Sequence, residues 1–64
     1  MIDKEESNRV LQALAKLPDE QHEVTALHLY GEMKFKEIAN LLDISINTVQ
    51  SRYRYGIEKL RTLL

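Results

Sequence analysis

Sixty-four residues with no cysteine, one proline and two glycines allow one small core and exclude disulfide staples, thiolate metal sites and a large enzymatic cleft. A chain this short buries only about 60% of its unfolded surface, so its fold has to stand on helix packing. The net charge of −1 hides an uneven split, since residues 1–32 hold three basic and seven acidic side chains while residues 33–64 hold six and three.

The spacing predicts a first helix from about Lys4 to Lys16, with Val10, Leu11, Leu14 and Leu17 on one face. Asp3, Glu5 and Glu6 lie near its start, where the helix dipole favours negative charge. Pro18 closes this helix and suits the first turn of a second, followed by Asp19 and Glu20. The second helix is expected to run to about Tyr30 and to bury Val24, Ala26, Leu27 and Tyr30, with Gly31 after it as a residue in the left-handed conformation. A third helix spans about Lys34 to Leu42, placing Phe35, Ile38, Ala39 and Leu42 at i, i+3, i+4 and i+7. Asp43, Ile44 and Ser45 then break the pattern. Ser45 is a good N-cap for a fourth helix that runs to about Thr62.

The run from Phe35 to Arg54 thus reads as two helices joined by a short turn, the layout of a DNA-binding helix-turn-helix. Ala39 is the small side chain that a steep helix crossing needs, and Ile44 is expected to plug the gap between the two helices. The chain is therefore read as all-α: a compact four-helix helix-turn-helix domain with a long C-terminal recognition helix, one domain over residues 1–64.

Turned at about 100° per residue, the fourth helix gathers Ile46, Val49, Tyr53, Gly56, Ile57, Leu60 and Leu64 on a buried side centred near Tyr53. Asn47, Ser51, Arg54 and Glu58 point the opposite way, flanked by Thr48 and Tyr55 on one side and by Gln50 and Arg61 on the other. Recognition helices read base edges from their N-terminal turns, which makes Asn47, Thr48, Gln50, Ser51 and Arg54 the candidate base-reading set. Asn and Gln pair bidentately with adenine and Arg with guanine. The basic charge of residues 33–64 falls on the half that carries this motif, as phosphate contact requires.

From Leu17 to Leu64 the sequence resembles region 4 of bacterial sigma-70-type RNA polymerase sigma factors, especially the extracytoplasmic-function group. The matching pieces are Leu17-Pro18, Gly31, Glu37-Ile38-Ala39, Leu42, Ile44-Ser45, Thr48-Val49, Ser51-Arg52 and Lys59-Leu60-Arg61. The resemblance implies that the second helix of the motif binds the promoter −35 element in the major groove and that the domain docks on the β flap of core RNA polymerase. It also implies an anti-sigma factor as a further partner. Thr48, Gln50, Ser51 and Arg54 then hold base- or backbone-reading positions, while Lys34, Lys36, Arg52 and Tyr55 are phosphate contacts. Arg52 has a rival structural role as a partner of Glu37.

The sequence departs from the family pattern at several positions. Asp43 stands where many compact sigma factors have Gly, and Asp tolerates the left-handed region. Lys34 replaces the usual Ser or Thr cap of the third helix, which weakens that end by about 1 kcal/mol. Gln50 and Tyr55-Gly56-Ile57 lower the phosphate-clamping charge, so weaker or more partner-dependent DNA binding is expected. Gly56 inside a helix implies either a close approach to the first or second helix or a bend.

Two alternatives stand beside this reading: a LuxR-type regulator domain, which shares the EIA and ISxxTV pieces, and a sigma-like protein-interaction module that does not read DNA. An enzyme is not expected, and no cofactor or metal is called for, since His22 and His28, six apart, do not share a helical face. His28 is expected to be partly buried or at an interface. With no apolar run near the roughly 18 residues of a membrane span and no signal-peptide layout in MIDKEESNR, the chain reads as cytoplasmic and free of the membrane. It is expected to be a piece of a longer sigma factor.

Overall fold

The computed structural model describes residues 4–64, with side chains from Asn8 onward, as four helices. They are α1 (Lys4–Ala15), α2 (Asp19–Leu29), α3 (Phe35–Leu42) and α4 (Ile46–Leu63), each within two residues of the sequence expectation. Asp3 and the side chains of Glu5 and Glu6 lie outside the described residues.

Among the described residues the interior forms two clusters, and α4 belongs to both. Ala13, Leu14 and Leu17 pack with Leu60, against which Val10, Ile57 and Leu63 are half-buried. Val24, Ile38, Ala39 and Val49 form the second cluster, with Leu27, Met33, Phe35, Leu42, Ile44 and Tyr53 around it. The helix-turn-helix core is the second cluster, and α1 clamps the far end of α4 through the first. Ala39 stands at the expected crossing and Ile44 fills the turn as expected.

Four residues expected in the core, Leu11, Tyr30, Ile46 and Leu64, are exposed. Leu11 is 49% exposed and Ala13 is buried in its place. The face that α1 turns inward is Val10, Ala13, Leu14 and Leu17, spaced i, i+3, i+4, i+7, so helical position outweighs side-chain apolarity. In α2, Tyr30 is 44% exposed while Thr25 is fully buried. In α4 the buried line is Val49, Gly56 and Leu60, so the inner face is turned by about 40° from the expected centre at Tyr53. That rotation brings Leu63 inward and leaves Ile46 and Leu64 exposed.

Glycine 56 faces α2 in close approach. A Cβ there would collide with the hydroxyl of Thr25 and would stand 3.5 Å from the Gln21 carbonyl. Of the two reasons expected for this glycine, close approach to the second helix is the one found.

The α2–α3 connection departs from expectation. Glu32, not Gly31, holds the left-handed conformation, at φ 54°. Gly31 is required for a different reason: its N–H donates to the Ala26 carbonyl at 3.2 Å, and a Cβ on it would stand 2.7 Å from the Leu27 carbonyl oxygen. The Met33 N–H donates to that same Leu27 oxygen at 3.1 Å, so the last carbonyls of α2 are satisfied by the turn.

Candidate nucleic-acid interface

The motif is assembled from its turn outward. Asp43 ends α3 in the left-handed conformation (φ 57°, ψ 47°), its N–H donating to the Ala39 carbonyl, and the Ile44 N–H reaches the same oxygen at 3.1 Å. The short polar side chain of Asp tolerates this backbone, as the sequence implies. Ser45 then caps α4 by accepting the Thr48 N–H on its hydroxyl at 3.1 Å. At the other end of α3, the Glu37 carboxylate accepts the Lys34 N–H at 2.9 Å. A lysine side chain has no acceptor, so only half of a reciprocal capping box forms.

An aromatic cluster fixes α4 against the rest of the motif. The His28 ring of α2 stacks on Phe35 of α3 at a centroid distance of 4.5 Å and meets Tyr53 of α4 edge-on at 4.7 Å. Phe35 and Tyr53 are themselves 5.2 Å apart. His28 Nδ1 lies 2.9 Å from the Met33 carbonyl; because a carbonyl only accepts, Nδ1 carries the proton. His28 is thus the half-buried joint of three helices, in keeping with its expected interface role.

The candidate residues fall into three groups. Gln50 and Arg54 are exposed on the outer ridge of α4. Asn47, Thr48 and Ser51, together with Arg52 and Tyr55, line a groove of about 440 Å³ between the first turns of α4 and α2. Lys34 and Lys36 stand exposed at the start of α3. Thr48 has a second task, since its hydroxyl lies 2.8 Å from that of Ser45 and belongs to the cap of the helix it would read from. Tyr55 is 59% exposed.

The rival role of Arg52 as a partner of Glu37 is not found. Arg52 turns toward α2, where its Nη2 lies 3.6 Å from Glu20 Oε2, and Glu37 is occupied by the Lys34 amide. Asp19 and Glu20, which the sequence places only after Pro18 at the start of α2, form the opposite wall of the groove. Nothing in their spacing signals this, because it depends on how α2 crosses α4.

Among the described residues no helix is long and apolar enough to cross a membrane. The chain matches the family model described as sigma-70, region 4, over residues 7–60. It is 36% identical over all 64 residues to the ECF RNA polymerase sigma factor SigW of Bacillus subtilis (strain 168). Those 64 residues span 34% of that relative's length. No solved structure matches.

Proposed function

The chain belongs to the sigma-70 region 4 family, extracytoplasmic-function group, and on that premise we propose that it recognises the promoter −35 element through α4. The family is one of DNA-binding regulatory domains, not of enzymes. Asn47, Thr48, Gln50, Ser51 and Arg54 contact base edges, and Lys34, Lys36, Arg52 and Tyr55 contact phosphates. The domain works in the cytoplasm as part of a sigma factor docked on the β flap of core RNA polymerase, and an anti-sigma factor competes for it.

The observation that carries this reading is the two-sidedness of α4. Its Val49–Gly56–Leu60 line is buried, while Asn47, Gln50 and Arg54 in its first turns are exposed and free of the core. A hydroxyl cap, a left-handed Asp and an aromatic joint hold those turns at a fixed angle to α3, as major-groove entry requires.

The test is binding to −35 duplexes of cognate and scrambled sequence across a salt series, with Arg54→Ala and Lys36→Ala beside the parent. Arg54→Ala should bind both sequences alike, losing the roughly 1–3 kcal/mol of discrimination that a bidentate base contact supplies. Lys36→Ala should weaken binding to both sequences equally and flatten the salt slope by about one. Unchanged selectivity in Arg54→Ala would refute its assignment, and binding that ignores salt would refute DNA recognition altogether.

A further inference from the structure

We infer that Glu20 is an internal competitor of DNA for Arg52 and thereby sets how tightly this domain holds a duplex. The inference rests on the DNA-binding function proposed above. Arg52 is one of two arginines in the first three turns of α4, and it is the one turned into the groove. Its side chain is 27% exposed, so most of it is covered where it lines the groove between α4 and α2. Glu20 is the reverse: 72% exposed, anchored in the first turn of α2, and touching the guanidinium through one oxygen at 3.6 Å. A single contact of that length to a solvated carboxylate is easily broken.

Asp19 and Glu20 form one wall of the groove, and Asn47, Ser51, Arg52 and Tyr55 lie across from them. A phosphodiester reaching Arg52 enters the space that the Glu20 carboxylate occupies. Either Glu20 swings into solvent or two anions crowd one guanidinium, and both outcomes subtract from binding. Arg52 is therefore partly neutralised before DNA arrives. The domain should show a lower affinity and a shallower salt dependence than its surface cations imply.

The test compares duplex binding by the full 64-residue chain and by Glu20→Gln, Glu23→Gln and Arg52→Ala, with the Glu20→Gln/Arg52→Ala double variant, over a salt series. Glu23 is the control: it is exposed on the same helix, does not line the groove, and its neutralisation changes net charge equally. Circular dichroism verifies that each variant stays helical. Glu20→Gln should tighten binding about two- to fivefold, the range that an exposed ion pair commands, and steepen the salt slope by up to about one. Glu23→Gln should do neither, and Glu20→Gln should have no effect once Arg52 is alanine. Parental affinity and slope in Glu20→Gln, or an equal gain from Glu23→Gln or in the Arg52→Ala background, overturns the inference while leaving DNA recognition intact. Absence of duplex binding by every chain, Glu20→Gln included, overturns both.

Discussion

Gly56 lies in the interior of the 18-residue α4, where alanine would ordinarily stabilise a helix by up to about 1 kcal/mol. Here the opposite is expected. The added methyl would collide with the Thr25 hydroxyl, and Thr25 has nowhere to retreat. It is fully buried and β-branched, so a change of χ1 has to drive the hydroxyl or the methyl into space that its neighbours already fill. Overpacking of this kind costs about 1–3 kcal/mol, which exceeds the propensity gain over most of its range. The net cost of about 0–2 kcal/mol should lower the melting temperature of the Gly56→Ala chain by about 4–8 °C at its midpoint and by up to roughly 16 °C, at about 4–8 °C per kcal/mol for a domain of this size.

Thr25→Ala reverses the sign. It removes the colliding oxygen, which finds no hydrogen-bond partner among the described residues, and it deletes one buried methyl. A buried orphan hydroxyl costs about 1–3 kcal/mol and a lost methyl about 1 kcal/mol, so Thr25→Ala alone should be neutral to stabilising by up to about 2 kcal/mol. In that background Gly56→Ala should stabilise, giving a coupling of roughly 2 kcal/mol in a double-mutant cycle followed by thermal and urea unfolding. Additivity within about 0.5 kcal/mol, or a Gly56→Ala chain that melts above the parent, would refute the account of this crossing.

Glu32→Gly should raise stability by about 0.5–1 kcal/mol, because Glu32 holds φ 54° where a side chain is strained; a melting temperature at or below the parent's would show that the turn relaxes. Ala39→Leu should destabilise by at least about 1–3 kcal/mol, since Ala39 is packed among Val24, Ile38 and Val49; a melt within about 2 °C of the parent would put the α3–α4 crossing elsewhere.

The motif itself was legible because each local signal in it agrees with the others. Phe35, Ile38, Ala39 and Leu42 keep a helical period, Asp43 suits a left-handed stop, and Ser45 suits a start. Three features were not legible, each because a neighbour decides it. The inward face of α2 gives no period, since its apolar residues are spread around the axis and the residue at its tightest contact is Thr25. Ala13 displaces Leu11 from the core because α1 approaches on that line. The left-handed position after α2 falls one residue beyond the glycine, since Gly31 sits where a Cβ would strike the Leu27 carbonyl. For the candidate site, the exposed residues of α4 could be placed by periodicity alone. The acidic wall opposite them could not, because it belongs to another helix.

That wall changes how the chain's charge should be understood. Splitting the sequence into an acidic first half and a basic second half removes the objection that a net charge of −1 poses to DNA binding only if the halves stay apart. They do not: α2 packs along α4, bringing Glu20 to within 3.6 Å of Arg52 at the groove's edge. The same crossing is fixed at its waist by Gly56 against Thr25, between the cluster that holds the reading turns and the cluster through which α1 holds the far end. The distance between the acidic wall and Arg52 therefore depends on how closely two helices meet at one glycine. A variant that widens the crossing without unfolding the domain should loosen the ion pair and strengthen duplex binding together. An Arg52–Glu20 contact that survives such widening would place the control of affinity in the side chains alone.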